Sequence, residues 1–417
     1  MADKFKEISQ AVSYSVATLR ASGRPPPGVQ TKPTGPCPEE YKKVIASQFD
    51  SKNIDNDFKK LYVAKLEENH DCISKSQFDL GSADAWEHHI DRKNSDINYV
   101  KQFKIPASDE QFLAKMTKEL MDAGVIYKAF SPHNCPVFLV KKKDNTKERW
   151  VQDLRTCNMS SLPDRFSIRD CRESLFAIGR LTKEDRKRKS VFSNLDLTGA
   201  FHQLPLSRES QPLTAFTLPF LNSQFCWRYT TMGLRGASAS FSKLINHIFG
   251  DLAPSVITYV DDILLSSSSY SDDLLLLDQV FAKCRYHGLK INLKKSQFGQ
   301  KQLSWLGFSI SEQGIKADYE KTTAIKALKP PATVKEIQSH LGLFTFFSHL
   351  VERFAWIAAP LIALTSQNSP WKSVKRSGPL PQPAMDAWLL LRQAICSDHC
   401  LAYPDYSKGF LLSLIHI

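Results

Sequence analysis

Two periods of apolar spacing run along this chain of 417 residues. Residues 256–260, VITYV, form a strand-like run rich in β-branched and aromatic residues, and Ile263-Leu264-Leu265 form a second. Asp261 and Asp262 lie between them, so the pattern predicts a hairpin with two adjacent carboxylates at its tip. Pro136–Val140, Arg149–Leu154 and Val191–Leu197 read as further strands. Leu303–Ile310 reads as a strand before a Gln313-Gly314 turn. Helical spacing links Phe112, Leu113, Met116 and Leu120. A Ser108-Asp109-Glu110-Gln111 capping box opens that helix and Gly124 closes it. Ser238–Gly250 and Ser271–Gly288 predict two more helices, the first with an apolar face of Phe241, Leu244, Ile245 and Ile248. Thr333-Val334-Lys335-Glu336 opens another, with Ile337, Leu341 and Phe344 on its buried face. Phe5, Ile8, Val12, Val16 and Leu19 suit a short amphipathic helix near the N-terminus.

Between these elements the composition shifts. Residues 1–38 are a flexible segment ending in the Pro/Gly-rich stretch 21–38, which cannot pack a core. Residues 39–105 are polar and weakly periodic, and residues 366–383 are linker-like. There is no internal repeat. No run of about 18 apolar residues occurs, so no transmembrane helix is expected. The N-terminus lacks the basic-then-apolar order of a secretory signal. Nine scattered cysteines suit reduced thiols in a cytosolic chain. Cys396, His399 and Cys400 cluster without a second pair, so no zinc site is expected. A net charge of +12 favours a polyanionic partner.

Two carboxylates at a hairpin tip repel each other, and burial would raise their pKa. A divalent cation resolves both problems, and Mg²⁺ suits carboxylates combined with substrate phosphates. Two such ions about 4 Å apart can clamp an in-line phosphoryl transfer. That chemistry needs a third carboxylate on a neighbouring strand. Residues 191–206, VFSNLDLTGAFHQLPL, supply one in Asp196, which interrupts an otherwise apolar strand. Thr198, Gly199 and Ala200 follow it and leave room for a substrate near the backbone. An isolated Asp-Asp pair is more often a solvated turn. The coincidence of all three residues with strand-like runs favours the metal reading.

YVDD followed by ILLSS, and LDLTGAFHQLPL some sixty-five residues earlier, resemble the two catalytic motifs of reverse transcriptases. The resemblance is nearest to the polymerase of gypsy-class long-terminal-repeat retrotransposons. It covers roughly residues 79–410. DLGSADAWEHHI at 79–90 is similar to the segment upstream of the polymerase, and residues 123–158 to the fingers. TTMGLRGASASF resembles the nucleotide-pocket strand and helix, WLGFSISEQGI the primer-grip hairpin, and residues 334–361 the thumb. The implied fold is α+β, a right-hand polymerase of fingers, palm and thumb with an antiparallel palm sheet. The implied division is an N-terminal extension at 39–105, fingers and palm at 106–310, and a thumb at 311–370. Residues 371–417 would be a linker and the start of a ribonuclease H-like domain.

The resemblance implies RNA-directed DNA synthesis on an RNA or DNA template-primer, using deoxynucleoside triphosphates and two Mg²⁺ ions, with Mn²⁺ as a substitute. Asp196, Asp261 and Asp262 would hold the metals, the first two bridging both ions. Lys142 and Arg149 would grip the triphosphate. Phe201 would abut the sugar and exclude a 2′-OH, and Met232 and Gly233 would lie under the nucleotide. The family commonly has an aromatic where Met232 stands. Leu306, Gly307 and Phe308 would position the primer end. Residues 182–189, TKEDRKRK, are longer and more basic than the family's usual connection. The 401–412 stretch resembles the first ribonuclease H strand, but no metal-binding carboxylate follows it, and no Asp-Thr/Ser-Gly protease motif lies upstream. A fragment of a larger polyprotein is therefore expected, acting in the cytoplasm or in element particles. The competing expectations are a catalytically inactive nucleic-acid-binding remnant and an assembly protein.

Overall fold

The computed structural model describes residues 35–49, 56–141, 148–164, 166–178, 190–366, 369, 379–398 and 401–403. The expected N-terminal helix, the basic stretch at 182–189, His399 and Cys400 of the cysteine cluster, and most of the ribonuclease H-like stretch lie outside these residues. No described helix is long and apolar enough to cross a membrane. The chain forms two compact units, one of residues 1–174 with 193–300, the other of 175–192 with 301–417.

In chain order the strands are β1 Ile126–Lys128, β2 Val137–Lys141, β3 Glu148–Gln152, β4 Val191–Asp196, β5 Phe216–Leu218 and β6 Ser223–Trp227. They continue with β7 Val256–Tyr259, β8 Asp262–Ser267, β9 Gln297–Gln300, β10 Gln302–Trp305, β11 Phe308–Ser311 and β12 Gly314–Ala317. The first unit is built on a four-stranded sheet of order β7-β8-β4-β9. β8 is buried along nearly its whole length, which its unbroken apolar run Ile263-Leu264-Leu265 anticipates. Helices Ala237–Phe249 and Tyr270–Tyr286 pack their apolar faces on this sheet through Phe241, Leu244, Ile248, Leu277, Val280 and Phe281. Ser269 caps the second helix, its side chain accepting from the Asp272 amide.

A second sheet, β1-β6-β5, and the β2-β3 hairpin complete the unit together with helix Ala107–Asp122. Leu120, Ile126, Val137, Phe216, Phe225 and Trp227 form their shared core. The expected capping box at Ser108 does not form. The helix starts two residues earlier, with Pro106 at the cap and no side-chain cap bond. Ser108 lies inside the first turn and donates instead to Asp109 Oδ1. Proline fixes the extended entry conformation, and Asp109 and Glu110 still complement the positive helix end.

Residues 39–49 and 56–73, which the sequence leaves almost featureless, contribute to the sheet's own core. Tyr41, Ile45, Phe49, Tyr62, Leu66, Cys72 and Ile73 are buried in it. The backbone of Cys72–Ser74 bonds to Ile291 in both directions. Side chains lock the same segment to helix Tyr270–Tyr286. Lys65 pairs with Asp278 at 2.6 Å, and Arg285 grips Asp71 through Nε and Nη2 at 2.6 and 2.7 Å. Tyr62 donates to Asp273 Oδ2 at 2.7 Å, a carboxyl that also accepts from Ser193 and Ser267.

Burial pushes the Asp273 carboxyl up to about 6, against the three hydroxyls that lower it. A carboxyl raised in the folded state contributes stability that is full below its unfolded pKa and is lost as pH rises through the folded value. Asp273→Asn removes that dependence. Between pH 4 and pH 7.5 the wild type should lose on the order of 2–3 kcal/mol more stability than the variant. Urea denaturation at the two pH values checks this, and parallel profiles would contradict it.

Gly299 approaches the Tyr62 ring so closely that a Cβ would lie 2.7 Å from Cε2 and 2.8 Å from Cζ. Its φ of +60° is itself strained for any L side chain. Tyr62 is fully buried and tied to Asp273, so it cannot swing away. Gly299→Ala should cost about 2–5 kcal/mol, from overpacking and backbone strain together. A shift in the urea midpoint equivalent to less than about 0.5 kcal/mol would show that the ring gives way.

The second unit holds the antiparallel sheet β10-β11-β12 and helices Tyr319–Lys326, Val334–Phe346, Phe354–Thr365 and Gln382–Ile395. The capping box expected at Thr333 and Glu336 is formed on both sides. Leu303–Ile310 is not one strand. It is a tight hairpin, with Trp305 paired to Phe308 and Leu306-Gly307 forming the turn at φ +51° and +82°. Left-handed values at both central residues are what a type I′ turn requires, which the apolar pattern concealed.

Candidate active site

The carboxylate hairpin is as tight as a hairpin can be. Tyr259 pairs with Asp262, leaving Val260 and Asp261 as a two-residue tip. Val260 sits at φ +53°, a conformation costing on the order of 1–3 kcal/mol for a β-branched residue. The tip leaves Asp261 exposed while Asp262, the first residue of β8, is half-buried. Asp196 ends β4, the strand next to β8 in the sheet. Its backbone is fixed by Asn292 N donating to its carbonyl at 2.7 Å and by Ser296 Oγ accepting from its amide at 3.1 Å.

The three carboxylates lie in one field. Burial first, then Asp261, then Asp196 push the Asp262 carboxyl up to about 6. Burial also raises Asp196, with Lys295 opposing and Asp261 reinforcing. Lys295 Nζ lies 3.6 Å from Asp196 Oδ2, an ion-pair distance too long for a hydrogen bond. Asp196 Oδ2 is buried without a hydrogen-bond partner. Among the described residues no three His, Cys, Asp or Glu side chains are drawn into a ready cage for one ion. The donor set is nonetheless all carboxylate oxygen, with one buried oxygen lacking a donor, which is the chemistry a hard divalent cation takes.

Beyond Asp196 the chain turns at Gly199 into the short helix Ala200–Gln203. Phe201 is half-buried there, edge-on to Phe241 at 5.7 Å, and it touches both the sheet core and the Cys135–Leu154–Leu234 cluster. Met232 is 53% exposed. The Gly233 carbonyl accepts from Asn158 Nδ2 at 2.7 Å, and Asn158 Oδ1 accepts from the Arg235 amide at 2.8 Å. Arg235 Nη1 returns a bond to the Asn158 carbonyl at 2.9 Å. Helix Arg155–Ser160 therefore holds the 232–235 loop from behind.

Lys142 lies outside the described residues. Arg149 is in β3 opposite Val140, so the β2-β3 hairpin carries it. In the second unit, Phe308 is buried against Phe346 at 5.1 Å and Phe347 at 5.3 Å, supporting the Leu306-Gly307 turn from beneath. Sequence reasoning missed Asn158 and Lys295. Asn158 was visible only as the end of a motif, and Lys294-Lys295 reads as an ordinary solvated pair.

Residues 140–310 match the family model described as reverse transcriptase (RNA-dependent DNA polymerase). They form a reverse transcriptase domain. The matched stretch contains all three aspartates and every other candidate site residue singled out in the sequence, from Lys142 to Phe308. The chain is 30% identical over 333 residues to the Retrovirus-related Pol polyprotein from transposon opus of Drosophila melanogaster, covering 78% of this chain and 32% of that protein. It is 33% identical over 282 residues to the Enzymatic polyprotein of Cauliflower mosaic virus (strain CM-1841), covering 66% and 40%. Among solved structures it resembles the foamy viral protease-reverse transcriptase in complex with double-stranded DNA. That match has a TM-score of 0.76 and 25% identity, over 90% of this chain and 63% of the other. The same viral protein in complex with an RNA/DNA hybrid gives a TM-score of 0.71 and 25% identity, over 88% and 47%. The chain thus spans about a third to two fifths of the length of these curated polyproteins. The retrotransposon reverse transcriptase and the α+β polymerase fold expected from the sequence are both borne out.

Proposed function

We propose that the chain catalyses RNA-directed DNA synthesis, extending a primer on an RNA or DNA template with deoxynucleoside triphosphates. The observation that carries this is the placement of Asp196 at the end of β4, beside the strand that Asp262 opens, with Asp261 at the adjoining tip. The complexes of the foamy viral protein with duplex DNA and with hybrid support a template-primer as the partner.

Asp196, Asp261 and Asp262 would hold two Mg²⁺ ions, or Mn²⁺ in their place, which when bound supply the positive charge that nucleotidyl transfer needs at the attacking and leaving oxygens. The chain's own groups do the positioning. The sheet fixes Asp196 through Asn292 and Ser296, so the carboxylates need little reorganisation. Lys142 and Arg149 draw the triphosphate to the β2-β3 hairpin and neutralise its charge. Phe201 bounds the sugar, and Met232 and Gly233 support the base. Leu306, Gly307 and Phe308 hold the primer end so that its 3′-OH attacks the α-phosphate in line and pyrophosphate leaves. In this reading residues 39–105 are an N-terminal extension leading into the polymerase, 106–310 are fingers and palm, 311–370 are the thumb, and 371–417 are a linker and the start of a ribonuclease H-like domain.

Primer extension by the purified chain on an RNA template, with Mg²⁺ and with chelator, tests the proposal. Absence of extension under every divalent cation would sink it. Lys142→Ala and Arg149→Ala should each raise the nucleotide KM roughly 10-fold, about 1.4 kcal/mol. Primer-template Kd should stay unchanged. A fall in duplex affinity with no change in nucleotide KM would place these residues elsewhere.

A further inference from the structure

His88 lies in the weakly patterned stretch that precedes the polymerase motifs. It is 2% exposed, and burial pushes its pKa down to about 4, so the ring is neutral at ordinary pH. Its backbone is laced into the chain that leaves Phe201. The His88 amide donates to the Pro205 carbonyl at 2.8 Å, and the Ser207 amide donates to the His88 carbonyl at 2.9 Å. Two further bonds tie the same pair of segments, from the Ala83 amide to the Gln203 carbonyl and from the Ile90 amide to Ser210 Oγ.

The side chain reaches the opposite way. Nδ1 shares a hydrogen bond of 2.8 Å with Ser240 Oγ, in the first turn of helix Ala237–Phe249. Gly236 ends the 232–236 loop and starts that helix at φ +80°. A Cβ on Gly236 would lie 3.3 Å from His88 Cε1, so the ring edge rests against the loop's last residue. Nε2 is buried and makes no hydrogen bond. The ring therefore has one polar attachment, and that attachment spans from the segment that follows Phe201 to the helix that follows Met232 and Gly233.

Resting on the activity proposed above, we infer that His88 is a positioning residue for nucleotide selection, fixing the sugar side of the pocket against its base side through Ser240. A neutral aromatic ring suits this task. It fills the space beside a glycine without a charge to desolvate, and its bond adds a directional polar tie between two elements that otherwise meet through apolar contacts such as Phe201 on Phe241. Loosening the spacing should let the pocket widen. The nucleotide would bind less tightly and an extra 2′-OH would be tolerated better, while the carboxylates on β4 and β8 stay where their own sheet holds them.

The experiment is steady-state single-nucleotide insertion by wild type, His88→Ala, Ser240→Ala, the double variant and His88→Asn. The asparagine amide can reach the position of Nδ1, the one ring nitrogen in use. Ser240→Ala and His88→Ala should each raise deoxynucleotide KM roughly 10-fold, the size of one lost buried hydrogen bond. Both should narrow the deoxy-to-ribo selectivity ratio and leave kcat within about 3-fold. The double variant should be no worse than either single one, because both remove the same bond. His88→Asn should recover most of the loss. If His88→Ala does not fold, Ser240→Ala with His88→Asn carries the same test, since the first keeps the ring in place and the second keeps the hydrogen-bonding group. Folded variants with wild-type KM and selectivity would overturn the role of His88 while the polymerase reading stands. A wild type that extends no primer would remove both.

Discussion

Asp261→Asn should abolish primer extension, by at least about 10³-fold or 4 kcal/mol of transition-state stabilisation, and should leave primer-template Kd nearly unchanged. Asparagine keeps the size of the side chain and removes one charge from the metal-binding set. Asp261 is exposed at the tip, so the substitution disturbs no core contact. The same change should not destabilise the protein. The Asp261 charge is one of the causes that hold the Asp262 and Asp196 carboxyls above their ordinary range. Without it both should titrate lower, and the metal-free protein above pH 6 should be as stable as the wild type or more so. Loss of activity together with equal or higher thermal stability is the signature of a site that holds like charges together for function. Mg²⁺-dependent extension above a few per cent of wild type would remove Asp261 from the catalytic set. Lost activity with a marked fall in stability would show that Asp261 braces the hairpin instead.

The features legible in the sequence are those in which a local period coincides with a buried face. The β7-β8 hairpin is one, because apolar runs on either side of Asp261 and Asp262 leave only the tip for the charges. Helix Tyr270–Tyr286 and the Thr333 capping box are others, since their caps and apolar faces are written within a few residues. What was not legible depends on partners far along the chain. Tyr62 reads as one aromatic in a polar helix until it meets Asp273, 211 positions away. Lys295 reads as solvated until the sheet brings it to Asp196. The Leu306-Gly307 turn was hidden for a different reason. Leucine in a left-handed conformation contradicts its own preference, and only the flanking strand pairs enforce it. Among the described residues such left-handed conformations outside glycine occur at Asn222, Val260, Leu306 and Arg353, and Val260 and Leu306 are at places the proposed chemistry uses.

Phe201→Ala should admit ribonucleotides, raising their kcat/KM by roughly 10–100-fold, or about 1.4–2.7 kcal/mol, while deoxynucleotide use falls less. The ring stands five residues beyond Asp196, past the Gly199 turn, on a short helix whose flanking residues Ala200 and Gln203 are buried. It is edge-on to Phe241 and packed between two apolar clusters, so it is held rather than free to rotate. A held ring excludes one extra oxygen at little entropic cost. That packing also poses the opposing case, in which Phe201 is simply a core residue. The two separate in measurement. A core role makes Phe201→Ala cost several kcal/mol of stability with both nucleotides affected alike. A gate makes selectivity move while stability falls by less, because part of the ring is already exposed. Phe201→Leu sharpens the distinction, since it keeps most of the packing volume but lacks the flat edge. It should retain stability within about 1.5 kcal/mol and still lose part of the discrimination. Matched insertion of deoxy- and ribonucleotides by all three proteins, read beside their urea midpoints, decides it. An unchanged selectivity ratio in both folded variants would move the gate away from residue 201.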